Sequence, residues 1–219
     1  MLFTDKVLFI HVPKTAGMSI TRFMIDNMRG DVTISIPRGH SPGDPRIREI
    51  VGIRHERLHE AQTLLATLGR KLSDFELILS VMRNPYDLEV SYYFQKRKPL
   101  AWERGRAKEL AMTGNFLEFV RRAPFNGRLP VCIEEWYQID GKAPPNLRAL
   151  RFENIERELH EAVGPLMPIE HKLGVRNAAD HAPFREFLSP EVEEAIYRKY
   201  QWLFDSGFYP RELSGQLPE

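Results

Sequence analysis

Short apolar runs alternate along this chain with longer segments whose apolar residues recur at helical spacing. "KVLFIHV" (6–12) is β-branched and aromatic, is bounded by Asp5 and Pro13, and predicts a buried strand. "MSITRFMIDNM" (18–28) follows with Ile20, Phe23, Met24 and Met28 on one helical face. "DVTISIP" (31–37) predicts a short strand and "IVGIRH" (50–55) another, leading into a helix through "ERLHEAQTLLATLG". "FELILSVMR" (75–83) is the clearest central strand, and Pro85 suits the first turn of a helix through "PYDLEVSYYFQKR".

The second half is less regular. "GNFLEFVRRA" (114–123) predicts a short helix, and 125–145 is rich in loop residues. "LRALRF" (147–152) predicts a strand and "NIERELHEAVG" (154–164) a helix. "SPEVEEAIYRKYQWLF" (189–204) predicts one helix with Ser189 as its cap and Pro190 at its first position. Strands alternating with helices predict an α/β fold, a three-layer sandwich around a mostly parallel central sheet, with residues 1–219 as a single domain. Ligands in such sheets sit beyond the carboxyl ends of the strands.

Composition narrows the choice of partner. A formal net charge of +1 on 219 residues gives no bulk field for nucleic acid, so an anion site must be local. The single cysteine, Cys132, excludes an internal disulfide and fits a reducing compartment. No apolar run approaches the roughly 20 residues of a membrane span. The opening "MLFTDKVLFIHV" lacks the layout of a signal peptide. The expectation is a cytoplasmic protein with no membrane span and no nucleic-acid partner; the oligomeric state is left open.

The strand-to-helix passage "VPKTAGMS" (12–19) carries the candidate chemistry. A helix starting near Gly17 to Ser19 presents backbone N–H groups and a positive dipole end. Gly17 lets the backbone approach a ligand, Thr15 and Ser19 add hydroxyls, and Lys14 adds a mobile charge. This is a phosphate-type cradle, although a plain turn with a solvated lysine has the same composition. It is not the nucleotide loop G-x-x-x-x-G-K-[ST], because its lysine precedes the glycine. Arg83 ends a central strand, and Ser91 follows eight positions later in the next helix. A guanidinium there can fork onto a phosphate and a serine can add a hydrogen bond. Two anion sites at one sheet edge point to a ligand with phosphates at both ends.

These two stretches carry a resemblance. "PKTAGMS" resembles the loop that binds the phosphosulfate end of PAPS (3′-phosphoadenosine 5′-phosphosulfate) in sulfotransferases. "RNPYDLEVSYY" resembles the 3′-phosphate segment of that family, including the arginine-to-serine spacing. "NFLEFV", "LRALRFENI" and "RNAADHAPFREFLSPEVEEAIYRKY" resemble further segments of its carbohydrate-type and bacterial branch. Met18 stands where a small hydroxyl residue is usual, and Leu88-Glu89 where Arg-Leu is common.

The resemblance implies a P-loop-NTPase-like sulfotransferase fold and transfer of a sulfuryl group from PAPS to a hydroxyl of a carbohydrate or small glycosylated acceptor. Lys14 would stabilise the phosphate that leaves as PAP (adenosine 3′,5′-bisphosphate). The backbone N–H groups of Thr15, Ala16, Gly17, Met18 and Ser19 would hold the phosphosulfate, and Arg83 and Ser91 the 3′-phosphate. No metal is required. The alternatives are a non-catalytic PAPS- or PAP-binding relative and, against the loop order, a nucleotide-dependent phosphotransferase.

A hydroxyl acceptor needs a base. His55, at the end of the predicted strand 50–55, is the candidate, with an ordinary pKa near 6.5, and Glu56 is its neighbouring competitor. His11 reads as a structural residue inside the first strand. His181 matches a recurrent position of the family without an assigned role. Arg176 and Asn177 are weak candidates for the nucleotide. "QKRKPLAWERGRAK" (95–108) reads as a solvated helix and loop, with an acceptor-binding lid as the alternative.

Overall fold

A computed structural model describes residues 1–38, 44–99, 104–174 and 182–211. In chain order its elements are β1 (Leu2–Phe3), β2 (Val7–Phe9), α1 (Gly17–Asn27), β3 (Val32–Ile36), β4 (Ile47–Val51), α2 (Leu58–Ala66), β5 (Leu77–Met82), α3 (Pro85–Arg97), α4 (Arg106–Thr113), α5 (Phe116–Arg122), β6 (Leu147–Arg151), α6 (Ile155–Val163), α7 (Pro190–Lys199) and α8 (Gln201–Asp205). The chain divides into two compact units, Met1–Arg83 with Glu135–Ala178, and Asn84–Glu134 with Ala179–Glu219. Among the described residues no helix is long and apolar enough to cross a membrane.

The first unit holds a six-stranded sheet in the order β4-β3-β1-β2-β5-β6. β2 pairs parallel with β5, β5 with β6, and β3 with β4. β1 is antiparallel to both its neighbours. The expected α/β fold with a mostly parallel central sheet is therefore present. The core on one sheet face joins Val7, Phe9, Ile34, Leu79, Val81 and Leu150 to Ile20, Phe23 and Met24 of α1 and Leu159 and Val163 of α6. Buried Asn27 ends α1 as a polar clamp. Its Nδ2 donates to the Phe23 and His171 carbonyls, and its Oδ1 accepts from the Glu170 and His171 N–H groups.

Several elements depart from the sequence reading: α4 was not anticipated, the first strand, expected over 6–12, ends at Phe9, and three further departures have a clear physical reason. β1 was not anticipated; two residues carry no periodicity, and Thr4 makes the hairpin by accepting from the Lys6 and Val7 N–H groups. The strand expected at 50–55 runs instead from Ile47 to Val51, because β3 offers five residues and pairs them from Val32↔Ile47 to Ile36↔Val51. Beyond Val51 the chain turns away, with Arg54 at φ 72° and the Ile53 N–H donating to the Glu56 carboxylate at 2.9 Å. The helix expected over 189–204 breaks at Tyr200, whose backbone leaves the helical region at φ −121° and ψ 29°. Tyr200 is fully buried there, with its hydroxyl donating to Glu89 at 2.5 Å.

The second unit is helical. α3 buries Tyr86, Leu88, Val90, Tyr92 and Tyr93, so these aromatics are core. Tyr92 and Tyr93 meet Phe119 of α5 edge-on or tilted. Glu89 is also fully buried and receives Lys199 of α7 at 2.5 Å. The residue that departs from the family pattern thus has a charge partner on another helix. Arg97 docks the neighbouring α4, donating to the Tyr93 hydroxyl at 2.8 Å and the Ala111 carbonyl at 3.1 Å.

Candidate anion-binding site at the sheet edge

The parallel ladders place the carboxyl ends of β2, β5 and β6 side by side. They bring residues 10–16, Arg83 and Phe152 to one edge. The loop after β2 is sharply shaped. Lys14 and Ala16 both adopt the left-handed region, at φ 67° and 59°. The first helical bond runs from the Ile20 N–H to the Ala16 carbonyl at 3.0 Å. The N–H groups of Gly17, Met18 and Ser19 therefore lie ahead of the helix's own ladder, at its positive end. Left-handed residues two apart turn backbone N–H groups inward, the geometry of an anion nest.

Side chains hold this shape. Thr15 is buried and its hydroxyl donates to the Val12 carbonyl at 2.9 Å, so its proton closes the loop instead of facing outward. Arg83 donates to the Lys14 carbonyl at 2.9 Å and stacks over the Phe152 ring at 4.2 Å. Arg83 and Lys14 are half-buried, Ser19 is buried, and Met18 is 40% exposed.

Gly17 has a packing role that the sequence does not display. A Cβ at this position would stand 1.7 Å from His11 Cδ2 and 1.8 Å from its Nε2. The glycine admits an imidazole on that side of the backbone.

His55 lies in the turn after β4, four residues past the strand end. Its Nδ1 sits 3.0 Å from the His11 carbonyl, and the two rings meet edge-to-face at 4.4 Å. A carbonyl can only accept, so the neutral His55 carries its proton on Nδ1 and keeps a lone pair on Nε2. Burial pushes its pKa down to about 4, with the Met1 amino group and Arg54 acting in the same direction against the favourable His11 carbonyl. The value near 6.5 taken from the sequence is thereby corrected.

Glu56, the competing candidate, is 3% exposed. Its Oε2 meets the Met1 amino group at 2.5 Å and its Oε1 the Ile53 N–H at 2.9 Å. Burial raises its pKa, but the amino group and its hydrogen bonds override this and leave it lowered.

Ser91 belongs to the second unit, where it is buried on α3. His40, Trp102, Arg176, Asn177 and His181 lie outside the described residues.

Sequence reasoning missed three contributors. His11 reads as a structural residue and is buried as one, though past the end of β2; what the sequence does not display is that it fills the space beside Gly17. Phe152 follows the strand adjacent to β5 and supplies the platform for Arg83. Arg54 reaches Met18, with Nη1 3.9 Å from its sulfur, through a turn that no local motif marks.

No family model matches the chain, and no curated protein matches it. Solved structures do match. The crystal structure of mouse sulfotransferase SULT7A1 complexed with PAP aligns over 94% of this chain and 85% of its own, with a TM-score of 0.53 and 13% identity. At that identity the likeness is one of fold, and the fold is that of a sulfotransferase.

Proposed function

We propose that this protein is a sulfotransferase that uses PAPS as donor and a hydroxyl of a carbohydrate or small glycosylated molecule as acceptor. The observation that carries this reading is the loop 12–19, shaped by two left-handed residues and tied by Arg83 to the end of the next strand. The likeness to a sulfotransferase solved with PAP supports it. In this reading residues 1–219 work as one domain in the cytoplasm.

Bound PAPS would supply an activated sulfuryl group on a phosphate leaving group. The N–H groups of residues 15–19 hold its anionic end, and Lys14 faces the phosphate whose charge grows during transfer. Arg83 and Ser91 recognise the 3′-phosphate. His55 Nε2, held bare by the bond its Nδ1 makes, takes the proton of the acceptor hydroxyl. Glu56 is committed to the Met1 amino group and the Ile53 N–H, which favours His55 as base.

Thermal shift tests the donor. PAP without magnesium raises the melting temperature, because the site relies on backbone N–H groups and arginine. A larger shift with ATP and magnesium, or none with PAP, overturns the reading in favour of a phosphotransferase or an unrelated ligand.

A further inference from the structure

The His11 imidazole touches three things. One side fills the space where a Gly17 side chain would begin, with Cδ2 and Nε2 within 1.8 Å of the position a Cβ would take. Its edge-to-face partner at 4.4 Å is His55. Phe9, the last residue of β2 two positions back, stacks on it at 5.8 Å and 19°. The ring is 6% exposed. It therefore stands between the loop and His55 with its back against the core. The His11 carbonyl meanwhile receives His55 Nδ1.

We propose that His11 is the positioning residue of this site: its ring is the spacer that sets the loop against His55, and its carbonyl selects the His55 tautomer. The proposal rests on the reading of His55 as base. A spacer here matters because a misplacement of about 1 Å between reacting groups lowers rate by up to roughly 10²-fold. It must also be thin where it meets the backbone, which is why residue 17 is glycine. A side chain at 17 would drive the ring into His55 or lift the loop, so the two features form one steric unit. His11 itself is held neutral, since burial, and then the charges of His55, the Met1 amino group and Arg54, push its pKa well down.

The test uses ligand-free protein labelled with ¹⁵N-histidine, together with PAP titrations. In the wild type at pH 7, His55 shows one tautomer, protonated on Nδ1. Both His11 variants keep the backbone carbonyl, so they differ only in the ring. In His11→Ala the edge contact that holds the His55 ring against that carbonyl is gone, the ring turns away and its two nitrogens average. His11→Phe restores a flat ring beside the same carbonyl, so the single tautomer persists.

Gly17→Ala weakens PAP by about tenfold or more, because the new methyl meets the ring. The double variant His11→Ala/Gly17→Ala recovers to within about threefold of His11→Ala alone, since the obstructing ring is gone.

A His55 that keeps one tautomer in His11→Ala would show that the carbonyl acts without the ring, and overturns the proposal that the ring positions His55. So does a double variant no better than Gly17→Ala, or a His11→Phe protein that melts normally yet loses the tautomer. If His11→Ala fails to fold, His11→Phe against Gly17→Ala still decides the steric claim. Failure of the wild type to bind PAP would instead remove the sulfotransferase reading, and the ligand-free tautomer measurement would stand apart from it.

Discussion

Arg83 donates to the carbonyl of Lys14 at 2.9 Å. One guanidinium thus braces the loop whose lysine is the candidate for the leaving phosphate, while its face rests on Phe152 at 4.2 Å. The sequence offers Arg83 a phosphate to bind or an ion pair at the strand end; the structure adds a bond to the loop, which changes what its removal should do.

Arg83→Ala is expected to weaken PAP by roughly 10–100-fold, the range for losing a charge-assisted hydrogen bond to a phosphate. Adenosine 5′-phosphosulfate lacks the 3′-phosphate but still needs the braced loop, so it should weaken by only a few-fold. Calorimetric titration of both ligands checks this. Equal losses would mean that Arg83 acts through the loop alone.

Lys14 sits at φ 67°, a conformation that costs an L-residue roughly 1–2 kcal/mol and glycine almost nothing. Lys14→Gly should therefore fold at least as well as the wild type and keep the Lys14 carbonyl in place for Arg83. Its turnover should nonetheless fall by about 10²–10³-fold, as expected for removing one group that stabilises developing charge. PAP release in the presence of an acceptor found by screening measures this, with urea denaturation for stability. A Lys14→Gly protein with near-normal turnover would remove the lysine from the chemistry.

What the sequence made legible was local. The runs around Val7–Phe9 and Leu77–Met82 read as strands because β-branched and apolar residues are dense and sharply bounded. The loop 12–19 and Arg83 could be placed at one edge because both follow such runs. What was illegible depended on partners distant in sequence. The end of β4 is set by the five residues of β3, so the apolar pattern through Ile53 misled. The Thr15 hydroxyl, typical of a ligand donor, is taken by Val12 three residues back. Nothing near Glu89 in the sequence shows its counter-charge, because Lys199 lies 110 residues on. Burial, which no motif displays, moved His55 away from its ordinary pKa.

The Glu89–Lys199 pair makes its own prediction. Both side chains are nearly inaccessible, at 0% and 4%, and Tyr200 adds a hydrogen bond to the same carboxylate. Removing one charge strands the other, at a cost of about 3–5 kcal/mol. Glu89→Leu should show that loss in urea denaturation. The double variant Glu89→Leu/Lys199→Met should regain most of it, because a well-packed apolar pair is often as stable as a buried ion pair. A double variant that stays as unstable as the single one would show that the Tyr200 hydroxyl, left without its acceptor, dominates the loss.

His55 ties stability and rate to the same ionisation. Its pKa is about 4 in the folded protein against an ordinary value of 6.5. Between those values the unfolded chain binds the extra proton and the folded chain does not. The contribution of His55 to stability is therefore complete above pH 6.5 and is lost as the pH falls toward 4. Its full size is about 3 kcal/mol, from the difference between the two values. Between pH 7 and pH 4.5 the wild type should lose about 2–3 kcal/mol more than His55→Gln, read from urea midpoints. The rate follows the same proton. If His55 Nε2 is the base, kcat/KM should stay flat down to about pH 5 and fall with an acid limb near 4. His55→Ala should lose roughly 10²–10⁴-fold in turnover, and the limb should vanish with it. Glu56→Gln should lower stability, because it breaks the contact with the Met1 amino group, but leave the limb in place. A limb near 6.5 would mean that His55 is solvated in the working enzyme. A limb that survives His55→Ala would move the base to another residue, and loss of the limb only in Glu56→Gln would move it to that carboxylate.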